Sequence, residues 1–155
     1  MTEQEVQEAL RAAATEVLET MFFVCLDEGV ESAEQPPESA PAVKITFRGQ
    51  PSGQMRLQLT ASAARSIAAD FLGADQDSVA ERQVSEVLRE MANMICGAVL
   101  SRVESAAVFR LDEPVLLEAD QQAVAPAAVS LQMPLSNGTL SLTMCLEGAE
   151  CLRVA

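Results

Sequence analysis

The chain has 155 residues, with 23 Asp and Glu against 10 Lys and Arg for a formal charge of −13, and it contains no His, Trp or Tyr. The missing histidine excludes Ser-His-Asp and Cys-His nucleophile pairs, imidazole metal ligands and a phosphohistidine relay, and the negative charge argues against polyanionic partners such as nucleic acid or anionic lipid. Catalysis would have to come from carboxylates, amides or hydroxyls.

Hydrophobic residues make up 49% and charged residues 21% of the chain, the balance of a globular protein, and a chain of this length buries roughly 70% of its unfolded surface without needing disulfide or metal staples. One domain over residues 1–155 is the expectation, with a mostly aliphatic core because the only aromatics are five Phe. The acidic start Met1-Thr2-Glu3-Gln4-Glu5 is wrong for a signal peptide, and no apolar run is long enough to span a membrane. Cys25, Cys96, Cys145 and Cys151 are scattered without the paired spacing of zinc sites. They read as reduced, buried thiols of a cytoplasmic protein, a redox or metal role being the lesser alternative.

Thr2 and Glu5 form a capping-box pattern, after which Val6, Leu10, Ala13, Val17 and Met21 recur at three- and four-residue steps, the apolar face of a first helix. The segment from Asp27 to Ala42 is rich in Glu, Ser and Pro and reads as a solvated acidic loop. Val43, Ile45 and Phe47 alternate with polar residues, as do Met55, Leu57 and Leu59 beyond Gly49-Gln50-Pro51-Ser52-Gly53, which predicts a hairpin with one face on a core. A short helix capped near Thr60 or Ser62 should carry Ala64, Ile67, Ala68 and Phe71 inward and end at Gly73, with a turn at 75–78.

A long helix is predicted from about Ser78 to Arg102, burying Val84, Leu88, Met91, Ile95, Ala98 and Val99. Val108, Phe109 and Leu111 then lead to Pro114 and Val115-Leu116-Leu117, a strand interrupted or started at the proline. After a loop through Asp120-Gln121-Gln122, Val129, Leu131 and Met133 and then Leu140, Leu142 and Met144 alternate with polar residues around Ser136-Asn137-Gly138, the strongest hairpin signal in the chain. Two hairpin units packed with an N-terminal helix, a short helix and a long helix make an α+β fold with a largely antiparallel sheet. A doubly wound succession and a glycine-rich phosphate loop are both missing, so nucleotide binding is not expected.

On the long helix Glu86, Glu90, Asn93 and Gly97 are spaced by four, three and four residues and fall within about 60° of each other, away from the buried side. Gly97 costs the helix roughly 1 kcal/mol relative to Ala and leaves a flat spot where another backbone can approach. A solvated face is the plain alternative. Against it, Asn93 sits between Met91-Ala92 and Met94-Ile95-Cys96, where an ordinary solvated face would carry Lys, Glu or Gln.

At these residues the chain resembles a family. Glu90-Met91-Ala92-Asn93-Met94-Ile95-Cys96-Gly97 is similar to the Glu-x-x-Asn-(apolar)-(apolar)-x-Gly signature of the CheC/CheX/FliY phosphatases of bacterial chemotaxis, and the single copy points to the CheX-like branch. The resemblance runs over residues 1–147, strongest from 43 to 116: the strand end Phe47-Arg48-Gly49, the strand Met55 to Leu59, the helix Ala61 to Leu72, the proline-bearing strand and the closing hairpin follow in family order. The chain departs from the pattern in having Glu86 where Asp or Ser is usual, and in a slightly short interval between Asn93 and Pro114.

The resemblance implies a phosphatase that removes the aspartyl phosphate of a CheY-type response regulator. Asn93 would orient the attacking water and Glu90 would pair with the receiver's lysine, with Glu86 and Gly97 as further partner contacts. It implies no cofactor bound by this chain, Mg²⁺ carried by the receiver, and a homodimer formed through a sheet edge such as the hairpin from Ala127 to Leu146. The alternatives are a catalytically inactive module of the same fold that binds a receiver or another signalling partner, and a structural homodimer whose polar stripe is solvated surface. Residues 1–40 hold ten acidic residues and one basic, whereas residues 41–155 hold thirteen and nine, so the acidity lies mainly outside the proposed docking part.

Overall fold

A computed structural model describes residues 2–24, 36–37, 39–103, 108–117 and 128–147. Most of the acidic loop expected over 27–42, the loop at 120–122, and Cys25 and Cys151 lie outside the described residues. The first helix, α1, spans Glu3–Met21 and opens with the capping box: Glu5 N–H donates to the Thr2 hydroxyl at 3.1 Å and Thr2 N–H to the Glu5 carboxylate at 2.9 Å. Val6, Leu10, Ala13 and Val17 are buried as the periodicity predicts, but Met21 is 45% exposed because the helix ends there and the chain turns away through Phe22, whose ring instead fills the core.

The strands β1 (Ala42–Arg48) and β2 (Gly53–Leu59) form the first hairpin, and β5 (Val129–Leu135) and β6 (Gly138–Leu146) the second. Antiparallel pairing of β2 with β6 joins them into one sheet, in which β1 also carries two short outer strands, β3 (Arg110–Leu111) and β4 (Val115–Leu116). The alternate residues Val43, Ile45, Phe47, Met55, Leu57, Leu59, Leu140, Leu142 and Met144 are buried on the face that α1, α2 (Ala61–Leu72) and α3 (Glu81–Val103) cover. Three helices on one side of an antiparallel sheet are the α+β architecture the hydrophobic periods predict.

Several local features differ from the sequence expectation. The long helix starts at Glu81, not near Ser78, because Gln76–Ser78 form a 3-10 turn in which the Ser78 hydroxyl donates to Asp75 O, and Arg65 of α2 donates to the carbonyls of Gln76 and Val79. Phe71 is 37% exposed, its ring stacked on Phe22 with centroids 4.9 Å apart instead of entering the core. Ala98 is only half-buried. At the start of α2 the Thr60 hydroxyl does not cap the helix; it accepts from Thr139 N–H at 2.9 Å and ties the helix to β6. Gly73 ends α2 in the left-handed region, with Ala74 N–H returning to Ala69 O, as a Schellman stop requires.

The closing hairpin turns on Ser136 and Asn137, and neither has positive φ, so it is not one of the primed turns that Asn-Gly usually signals. Gly138 is needed for another reason. A Cβ there would lie 2.7 Å from Thr60 Cβ and 3.0 Å from Ala63 Cβ, so the glycine lets the hairpin close against α2.

The two edges of the sheet are finished differently. Along β1 the pairing shifts by one residue between Phe47↔Leu111 and Lys44↔Val115, so residues 112–114, including Pro114, form a bulge. At the other edge, Leu135 and Gly138 close a two-residue loop and therefore form the hydrogen-bonded pair, which turns the backbone groups of Ser130, Gln132 and Pro134 away from β6. The Ser130 carbonyl accepts from Gln7 Nε2 at 3.2 Å, and Pro134 has no N–H. Gln132 alone in β5 thus turns both an N–H and an unoccupied C=O outward among the described residues.

Candidate functional site

The long helix α3 buries Val84, Val87, Leu88, Met91, Ala92, Ile95, Cys96, Val99 and Leu100 against the sheet and α1, which fixes its rotation and turns Glu86, Glu90 and Asn93 outward. All three are exposed, and Gly97 is half-exposed one turn further on. A surface depression of about 310 Å³ is lined by Glu86, Arg89, Glu90, Asn93, Glu113 and Pro114. The stripe drawn from spacing is therefore one wall of a concave feature, and the bulge between β3 and β4 supplies the opposite wall. Gly97 lies outside this depression, and the nearest atom to a Cβ placed on it is Leu111 Cδ1 at 3.9 Å.

The carboxylates differ in how they are held. Glu86 accepts from Arg82 Nε at 3.3 Å, an (i, i+4) pair on the helix. Glu113 accepts from Arg89 Nη2 at 2.8 Å, while Arg89 Nε donates to the Pro114 carbonyl at 3.1 Å. Arg89 thereby clamps the bulge to α3. Glu90 and Asn93 have no side-chain hydrogen bond or ion pair among the described residues. Glu90 is thus the one carboxylate in the depression without a cation, and the carboxamide of Asn93 has both its donor and its acceptor open.

Chemically, the depression offers an unpaired anion beside a neutral amide that can both donate and accept a hydrogen bond without titrating. Such a pair can take a cation and hold a water molecule. Among the described residues no group of three or more Cys, Asp or Glu is arranged to hold a metal ion, and no helix is long and apolar enough to cross a membrane. Of the cysteines, Cys96 is buried on the inner side of α3 and Cys145 is half-buried, both as free thiols. Burial pushes the Cys96 thiol up to about 12, so it is no nucleophile near neutral pH.

Sequence reasoning did not single out Arg89 or Glu113 as site residues. The available signal was that Arg89 precedes Asn93 by four positions and so shares its side of the helix. Nothing local could show that Glu113 returns to it from 24 residues away. A second depression, of about 490 Å³, lies between α1 and the end of α3 and is lined by Glu5, Glu8, Ala9, Ala12, Arg102 and Val103. Its cation, Arg102, is paired with Glu16.

A family model described as chemotaxis phosphatase CheX matches residues 41–135, more than half of the chain. Among curated protein sequences none matches. Among solved structures, CheX from Vibrio vulnificus is similar with a TM-score of 0.71 at 21% identity, covering 95% of this chain and 99% of that one. CheX from Desulfovibrio desulfuricans gives 0.73 at 19%, covering 92% and 99%. A chain of the CheX–CheY–BeF3–Mg²⁺ complex from Borrelia burgdorferi gives 0.66 at 18%, covering 90% and 96%. At these identities the solved structures bear on the fold: each matches over nearly its whole length, as α1, α2 and α3 on the antiparallel sheet would require. With the family model spanning β1, β2 and α2 as well as α3 and the bulged edge, the two elements that line the depression, the chain belongs to the CheX family of chemotaxis phosphatases.

Proposed function

We propose that this chain hydrolyses the aspartyl phosphate of a CheY-type receiver domain, with Asn93 orienting the attacking water and Glu90 pairing with a receiver lysine. The observation that carries the reading is the exposed, unpartnered state of Glu90 and Asn93 one turn apart in the depression, while Glu86 and Glu113 are each occupied by an arginine. Phosphoryl transfer asks for positioning and charge stabilisation more than for covalent chemistry, and a neutral amide can place water without acting as a base, as Gln does in GTPases. A chain without histidine is adequate for such a task. The relative crystallised as a CheX–CheY–BeF3–Mg²⁺ complex supports the choice of partner, and in this reading the Mg²⁺ comes with the receiver. Glu86, held by Arg82, and Gly97, one turn beyond Asn93, are the further partner contacts.

The test is phosphate loss from a phosphorylated CheY-type receiver, with and without the chain. Acceleration should be lost on Asn93→Ala, by about a hundredfold if water is misplaced, and on Glu90→Ala, with the circular dichroism and melting of both variants unchanged. If both variants are as active as the parent, the assignment fails; if the parent binds the receiver without accelerating phosphate loss, the chain is a binding module. For the homodimer implied by the resemblance, the β5 edge offers few outward backbone groups, and light scattering of the parent chain over a range of concentrations is the deciding measurement.

A further inference from the structure

Among the described residues Arg89 is the only cation lining the depression, and it stands four residues before Asn93, the spacing at which helical side chains meet. An unrestrained guanidinium there would hydrogen-bond the Asn93 carbonyl oxygen or fall on Glu86 three residues earlier. Instead its Nη2 goes to Glu113 at 2.8 Å and its Nε to the Pro114 carbonyl at 3.1 Å. Both acceptors come from the bulge between β3 and β4, where one extra residue stands opposite β1. From this arrangement we infer that Glu113 and the bulge act as a positioning device, drawing the Arg89 guanidinium off the stripe so that the amide of Asn93 stays open.

The inference rests on Asn93 having the water-orienting role proposed above, and it assigns Glu113 and Arg89 as positioning residues that touch neither the phosphoryl group nor the water. Glu113 is largely exposed, so its pull on Arg89 is that of a surface ion pair. The expected effect of removing it is accordingly a change of about fourfold.

In Glu113→Ala, kcat measured at saturating phosphorylated receiver and fixed ionic strength should fall about fourfold, and the side-chain amide resonance of Asn93 should move as Arg89 reaches it. The double variant Arg89→Leu/Glu113→Ala removes the competing cation and should recover both the parent kcat and the parent resonance. A role limited to bracing the bulge predicts the opposite, since the double variant loses the brace entirely. A double variant as slow as Glu113→Ala, or a Glu113→Ala variant with parent kcat and an unmoved Asn93 resonance, overturns the inference while the function of Asn93 stands. Parent-like turnover in Asn93→Ala would overturn the reading beneath it, and this inference with it.

Discussion

A Cβ added to Gly97 would come no closer than 3.9 Å to Leu111 Cδ1, its nearest neighbour outside its own helix. Nothing among the described residues therefore requires a glycine at this position, although it lies in the interior of α3. Gly97→Ala should raise stability by about 1 kcal/mol, because alanine has the better helix propensity and fills open space. If another backbone packs against this spot, as expected for a partner contact, the same variant should bind the receiver more weakly. Chemical denaturation and titration with receiver read the two effects separately. Unchanged receiver affinity in the stabilised variant would remove Gly97 from the contact.

Gly53 behaves in the opposite way. A Cβ there would overlap the Cys145 carbonyl oxygen and lie 2.9 Å from Phe47 Cζ and 3.1 Å from Leu146 Cα. Two of these atoms belong to the backbone of β6, which cannot move aside without breaking the ladder between β2 and β6. Gly53→Ala is therefore expected to lower stability by about 1–3 kcal/mol, the range of core overpacking, and the midpoint of urea unfolding would show it. A neutral result would mean that the sheet is more compliant at this corner than its packing implies.

Cys96 makes stability depend on alkaline pH. Burial raises its thiol from 9.0 to about 12, because a thiolate in the apolar interior would lose its hydration. Above its ordinary value the unfolded chain releases this proton while the native chain keeps it. The stabilisation is thus complete below about pH 9 and is lost as pH climbs toward about 12, at up to about 1.4 kcal/mol per pH unit. Urea unfolding of parent and Cys96→Ala, compared at about pH 8 and about pH 10, should show a smaller alkaline loss in the variant. Equal losses would mean that Cys96 ionises alike in both states.

Much of this molecule is legible in its sequence because its elements carry clean periods. The 3.6-residue repeat from Val84 to Val99 places Glu86, Glu90 and Asn93 outside without any structure, and the alternation from Val43 to Leu59 and from Val129 to Met144 yields both hairpins. What local pattern could not supply are features fixed by distant partners. The start of α3 is displaced by Arg65, which reaches from α2 to hold the turn before it. The Asn-Gly signal found the right hairpin for the wrong reason, since Gly138 answers to Thr60 and Ala63 and not to turn geometry. The second wall of the candidate site depends on a bulge whose register shift exists only in pairing with β1.

The blunted edge at β5 bears on how the chain behaves when crowded. A neighbouring strand would need a row of alternating donors and acceptors, and it would find one interrupted by Pro134 and by the Gln7 side chain on Ser130 O. Restoring the row with Gln7→Ala and Pro134→Thr together should make the chain self-associate with rising concentration, read by light scattering and by dyes that report growing β-structure. If the double variant stays as dispersed as the parent, the edge is protected by something other than these two residues. If instead the double variant associates as expected, one amide and one imino acid at the rim of the sheet act as a solubility device, holding apart copies of a protein whose edge strand would otherwise template its neighbours.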